Sequence, residues 1–156
     1  MRKFAITAAV LGLTALGLSV PATAAQAAET GTRATVCNSK WPGRNGNVYA
    51  WQDLDCTGTL LGATAGDDDD WNAAGGGFQG AWDTATSVMN AGFTGGRDVV
   101  KFWSLTGYRG GYGCLSPNEY FADNLTDNTL SNGVGANDQF RSHEWVTASQ
   151  CGVWLT

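Results

Sequence analysis

The chain has 156 residues, with nine basic against 14 acidic side chains and a formal charge of −5. That balance leaves no basic patch, which excludes a nucleic-acid surface and argues against binding to anionic membranes. The length suits one domain with a real hydrophobic core.

In chain order, Met1-Arg2-Lys3 is a basic start, residues 4–20 are apolar and uncharged, and residues 21–28 are rich in small side chains. Ala25-Gln26-Ala27 fits an A-x-A cleavage site, so residues 1–27 are predicted to be a signal peptide and Ala28 the mature N-terminus. No other segment is apolar enough to span a membrane. Loss of Arg2 and Lys3 leaves seven basic against 14 acidic residues, a charge of −7. The expected product is a secreted, monomeric protein. Residues 28–34 form a polar lead and 35–156 the folded domain.

Within that domain the strands are short and the gaps are filled by glycine, asparagine and aspartate. Strands are predicted at 35–37, 48–52, 59–63, 86–91, 98–103, 113–115, 143–147 and 151–155. No long window has helical periodicity, so the expected architecture is all-β, antiparallel and sandwich-like. Two stretches are long and irregular. Residues 66–80 hold Asp67 to Asp70 and then Gly75-Gly76-Gly77, and residues 122–136 are polar. Loops of this length are often functional or disordered. Four adjacent carboxylates on an extended chain do not converge on one ion, so the aspartate run reads as a solvated face.

One spacing occurs twice. Trp51 is followed by Gly58 and Trp103 by Gly110, at an offset of 52 residues that also aligns Val48 with Val100. Residues 82–87 and 137–142 are a second shared piece. A period of this size suggests two copies of one supersecondary unit, about 35–92 and 93–156. Cys37, Cys56, Cys114 and Cys151 make an even count, which in an exported chain reads as two disulfides. Zinc is disfavoured, because no pair has C-x-x-C spacing and His143 is the single histidine. Three pairings are open, and the repeat favours Cys37–Cys56 with Cys114–Cys151, one in each copy.

The repeated units resemble the double Greek key of βγ-crystallins, whose signature is aromatic-x4-aromatic-x-Gly with a later serine. Trp103, Tyr108, Gly110 and Ser142 match it in full. Trp51, Gly58 and Ser87 match it with Cys56 in place of the second aromatic. Glycine permits a positive φ at a folded hairpin, the aromatic packs over it as a corner, and the serine hydroxyl ties it back. The run from Trp82 to Asn90 is also similar to one in secreted actinomycete proteins related to the streptomycete metalloproteinase inhibitors.

The resemblance implies a calcium reading. In the wider crystallin family, paired aspartate turns bind Ca²⁺ through exchanged oxygen ligands. Asp138, the Gln139 carbonyl and Thr86 could form one site. The second would need Asp83 and a hydroxyl at Arg141, where a cation stands instead. That site is expected to be disabled, with Arg141 paired to Asp83. The resemblance further implies a steric inhibitor of a secreted peptidase, with a reactive loop on 67–77 or 122–136 and no named reactive residue.

Other readings belong to other classes: a Ca²⁺-stabilised structural module, a killer-toxin-like antimicrobial, or a carbohydrate-binding module. The last would use exposed tryptophans, for which Trp41 and Trp71 are the expected positions, with Trp145 and Trp154 in strand cores. No catalytic constellation stands out. His143 directly follows Ser142, and neither G-x-S-x-G nor H-E-x-x-H is present.

Overall fold

The structure, a computed structural model, describes residues 36–156. The expected signal peptide, the whole of the polar lead at 28–34 and residue 35 of the first expected strand lie outside the described residues. Among the described residues seven strands form: β1 (Asn47–Trp51), β2 (Leu60–Thr64), β3 (Ser87–Ala91), β4 (Val99–Leu105), β5 (Arg109–Leu115), β6 (Phe121–Ala122) and β7 (Ser142–Val146). They make two antiparallel sheets, ordered β2-β1-β3-β6 and β5-β4-β7.

The sheets exchange segments. β6 comes from the second half of the chain but pairs with β3 of the first sheet, Val88 facing Ala122. In return Asp68, from the first half, bridges His143 of β7 through both backbone groups, at 2.9 and 2.8 Å. Each sheet thus borrows its outermost partner from the other half. This reciprocal crossing is the βγ-crystallin-like double Greek key that the resemblance implies.

Alternation along the strands sets the core. Val48, Ala50, Val88, Val100, Phe102 and Trp145 point between the sheets. Connecting segments supply the rest: Trp71 stacks on Phe78 at 4.2 Å and meets Phe102 and Phe140 edge-on at 6.1 and 6.2 Å. Trp71 and Phe78 have no solvent exposure. The 66–80 stretch is therefore not a free loop: Asp68, Trp71 and Phe78 anchor it in the core while Asp67 and Asp69 stay exposed, and the expected exposure of Trp71 is wrong. Its glycines explain the close fit. A Cβ on Gly62 would meet the Gly77 carbonyl at 2.5 Å, and one on Gly76 would meet the Asp68 carboxylate at 2.7 Å. The 122–136 stretch is packed as well, burying Leu125, Leu130 and Ala136.

The folded hairpins form at both predicted places. Cys56 and Tyr108 occupy the left-handed region at φ 56° and 57°, two residues before Gly58 and Gly110 at 67° and 85°. Ser87 Oγ accepts the Cys56 N–H at 3.0 Å and donates to the Asp53 carbonyl at 2.7 Å. Ser142 Oγ does the same for Tyr108 N–H and the Leu105 carbonyl, at 3.3 and 2.7 Å. Both disulfides have the expected pairing, Cys37–Cys56 and Cys114–Cys151.

Several element boundaries differ from expectation. Residues 36–40 are helical rather than extended, because the Cys37–Cys56 bridge and the Trp41–Tyr120 contact lay this segment across the outer face of the first sheet. Residues 151–155 are not a strand. They follow a 3-10 turn at Ala148–Gln150 and make one bridge to Cys114. Trp154 is 42% exposed rather than core. β5 starts at Arg109, and β6 was not foreseen. No helix among the described residues is long and apolar enough to cross a membrane.

Candidate functional site

The two shared pieces before β3 and β7 form equivalent turns. Asp83 and Asp138 both take φ 54°. The Asp83 N–H donates to the Phe140 carbonyl at 3.2 Å, and the Asp138 N–H to the Ala85 carbonyl at 3.1 Å. The turns thereby lace together across the molecule and bring residues 55 positions apart in sequence into one place. A cleft of about 300 Å³ opens there, lined by Gln52, Asp53, Asp83, Thr84, Thr86 and Asp138.

The two aspartates are not alike. Asp83 is held by Arg141, whose Nε donates at 2.9 and 3.0 Å and whose Nη2 donates at 2.5 Å. The guanidinium also lies over the Trp82 ring at 5.2 Å, and Trp82 Nε1 donates to Asp70 at 2.8 Å. The hydrogen bond to Asp83 holds the Arg141 pKa above its ordinary value. Asp138 pairs with no cation among the described residues. It accepts one bond, from Asn137 Nδ2 at 2.8 Å. Burial pushes its carboxyl up, the Asn137 bond opposes this, and the negative charge of Asp83 adds to it.

The donor chemistry suits a hard cation. All side-chain groups lining the cleft are carboxylates, hydroxyls or an amide. Asn137 Oδ1, beside Asp138, is buried without a hydrogen-bond partner among the described residues. The set is nevertheless sparse. No three His, Cys, Asp or Glu side chains among the described residues converge tightly enough to form a cage, although three carboxylates share the cleft. With Asp83 paired to Arg141, any cation in this cleft would be held on the Asp138 side. The structure brings Asp138 and Thr86 to the same cleft and places Arg141 on Asp83. Sequence reasoning missed Asp53, Thr84 and Gln52. Asp53 lies two residues after the corner Trp51, and its counterpart at the repeat offset is Leu105, so the repeat gave no signal for it.

The aspartate run is built into the fold instead. Asp67 Oδ1 accepts the Trp145 N–H at 2.7 Å. Asp68 is 7% exposed and accepts the N–H groups of Asp70 and Phe78. The Asp69 carbonyl accepts the Gly107 N–H at 2.8 Å. The carboxylates of Asp67, Asp68 and Asp70 thus diverge to separate partners, along the edge of β7 and within their own excursion. Tyr108 lies near the run, and burial together with the neighbouring carboxylates pushes its pKa up to about 12.

His143 is fully buried, with both ring nitrogens engaged. Trp71 Nε1 donates to Nδ1 at 2.8 Å, which requires Nδ1 to be unprotonated, so Nε2 carries the proton and donates to the Gly66 carbonyl at 3.1 Å. Burial lowers its pKa to about 4. The ring is a neutral part of the core.

No protein-family profile matches the sequence, and no curated protein does. Solved structures similar in fold are βγ-crystallin domains. One comes from work on the evolution of the eye-lens βγ-crystallin domain fold, with 20% identity and TM-score 0.48, covering 68% of this chain and 89% of that one. A βγ-crystallin from Ciona intestinalis has 19% identity and TM-score 0.45, covering 64% and 99%. The fifth crystallin domain of the non-lens protein Absent in melanoma 1 has 12% identity and TM-score 0.43, covering 66% and 89%.

Proposed function

We propose that the chain is an extracellular structural module of βγ-crystallin-like fold, stiffened by one weakly held Ca²⁺ in the Asp138 cleft. The observation that supports this reading is the meeting of Asp53, Asp83, Asp138 and Thr86 in one cleft. The ion would be held by Asp138, the Thr86 hydroxyl and the Gln139 carbonyl, with water completing the shell. It would offset the burial, and the lesser repulsion from Asp83, that raise the Asp138 pKa. Because Thr86 precedes β3 and Asp138 precedes β7, the ion would also tie one sheet to the other. Arg141 already supplies a fixed positive charge at Asp83, so one ion suffices. Two disulfides and the absence of free cysteines among the described residues suit an oxidising compartment.

Calorimetry with Ca²⁺ tests the reading. The native chain should bind one ion with Kd roughly 10⁻⁴ to 10⁻³ M, as extracellular modules do, and Asp138→Ala should abolish the heat. Two tight sites, or unchanged binding in Asp138→Ala, would reject it.

Peptidase inhibition is the second reading; the two long stretches anchor buried side chains in the core but also present exposed residues, among them Val134 at 45%. The segment that suits it is the turn between β3 and β4, where Phe93 is 66% exposed on a rigid support. A pre-organised loop binds a cleft with little ordering cost. A panel of secreted metallo-, serine and cysteine peptidases decides the matter. Slowing that Phe93→Ala removes supports inhibition, and no slowing at micromolar protein eliminates it.

A further inference from the structure

A second concavity, of about 440 Å³, opens among Gly46, Gly66, Asp67, Phe93, Arg97 and Trp145. Its volume falls within the range of small-molecule sites. It lies at the opposite end of the first sheet from the Asp138 cleft. β1 begins beside it at Asn47 and ends beside the cleft at Trp51, while β3 runs the other way, from Ser87 to Ala91. One strand length, about 16 Å, separates the two places.

Two walls are aromatic. Trp145 is 7% exposed, while Phe93 has the highest exposure of the large apolar side chains described. Glycines let both rings lie against bare backbone: a Cβ on Gly46 would stand 2.9 Å from the Phe93 ring, and one on Gly92 2.5 Å from that of Trp145. The turn carrying Phe93 is fixed at both ends. Asn90, wholly buried, accepts the Gly92 N–H at 3.0 Å and donates to the Asp98 carbonyl at 2.9 Å. The Gly95 N–H donates to the Asp98 carboxylate at 2.8 Å. A large ring is thus held in water by a rigid support, a position that burial under a ligand would relieve.

The third wall carries an oriented cation. Arg97 Nε donates to the Trp145 carbonyl at 2.6 Å, and Nη2 donates to Asp67 at 3.2 Å. The other Asp67 oxygen takes the Trp145 N–H, so both its oxygens are engaged and its charge is offset in place. Arg97 Nη1 has no partner among the described residues and remains available to an anion. A guanidinium fixed beside two aromatic rings matches a planar apolar body that carries a carboxylate. A phosphate dianion would face one cation in a chain of net charge −5, a poorer match.

We propose that this concavity binds a ring-bearing carboxylate, either a free aromatic acid or an aromatic residue at the C-terminus of a polypeptide. NMR titration of the purified chain tests it with phenylacetate, phenylacetamide and the acetylated tripeptide Gly-Gly-Phe with free or amidated C-terminus. Phenylacetate should shift the Trp145 and Phe93 signals with Kd on the order of 1 mM, the level open to so small a ligand. The amides should bind about tenfold more weakly, because they lose the charge-assisted bond to Arg97. Phe93→Ala, which removes an exposed ring that makes no hydrogen bond, should fold normally and weaken phenylacetate about tenfold. Arg97→Gln should erase the preference for acid over amide. A tripeptide acid at least about tenfold tighter than phenylacetate would assign the site to polypeptide ends, and equal or weaker binding to small acids. Equal binding of acid and amide, no saturation by about 20 mM, or an unaffected Phe93→Ala chain would overturn the proposal.

Discussion

At the scale of single residues, His143 gives the sharpest consequence. Its pKa falls from 6.5 in the unfolded chain to about 4 in the fold, so between those values the unfolded chain binds the extra proton. Its contribution is complete above pH 6.5 and is lost as pH falls towards 4, on the order of 3 kcal/mol in all. Protonation would also set an Nδ1–H against the Trp71 indole N–H, turning a hydrogen bond into a repulsion. Thermal melts from pH 7 to 4.5 should show a steep fall that His143→Gln flattens, and a flat native profile would contradict this. The Arg141–Asp83 pair is different. Both side chains are more than a third exposed, so solvent screens it and Arg141→Met should cost less than about 1 kcal/mol by chemical denaturation. Its importance lies in fixing charge at the cleft.

At the scale of elements, the chain is braced by ties that cross between segments. The two serine ties each join a hydroxyl to two backbone groups of a folded hairpin. Ser87→Ala should cost about 2 kcal/mol, since it strands the buried Cys56 N–H as well as a part-buried carbonyl, and Ser142→Ala, whose two bonds are both part-buried, about 1 kcal/mol. Urea unfolding measures it, and a loss under half a kilocalorie, about the scatter of surface changes, would show the ties to be incidental. The disulfides close intervals of 19 and 37 residues, and each should contribute about 3 to 4 kcal/mol by restricting the unfolded chain. The 66–80 excursion is more critical still. Trp71→Ala empties the centre of the core and leaves the His143 acceptor unpaired, at a cost of about 4 kcal/mol or more. Excision of residues 67–77 should therefore abolish cooperative folding.

The contrast among these elements shows what the sequence made legible. The hairpins were readable because positive φ demands glycine and the serine has a fixed task, so Trp103, Tyr108, Gly110 and Ser142 leave a spaced signature. The disulfide pairing followed because the two copies each contain two cysteines. The 66–80 excursion was not readable. Aspartate and glycine runs usually mean solvated loops, and only the tertiary fold reveals that Asp67 satisfies the edge of β7 while glycine permits contact at Gly62. Asp53 joined the cleft through hairpin geometry, and β6 is two residues long with no periodic pattern to find. The arginine–aspartate pair at the cleft was readable, since equivalent turns placed Arg141 where its counterpart has Thr86.

At the scale of the whole molecule, the sheets exchange their outermost segments, so neither half is complete alone. The Asp138 cleft lies where the halves lace together, which is where a cation would join turns from both. The concavity at Phe93 lies at the far end and does not depend on it. The most direct test of the account is a Ca²⁺ titration followed residue by residue in ¹H–¹⁵N spectra. The account predicts saturable shifts confined to residues 52–53, 83–86 and 137–139, with Asp138→Ala silent. Shifts centred on the aspartate run at 67–70, or none at millimolar Ca²⁺, would contradict it.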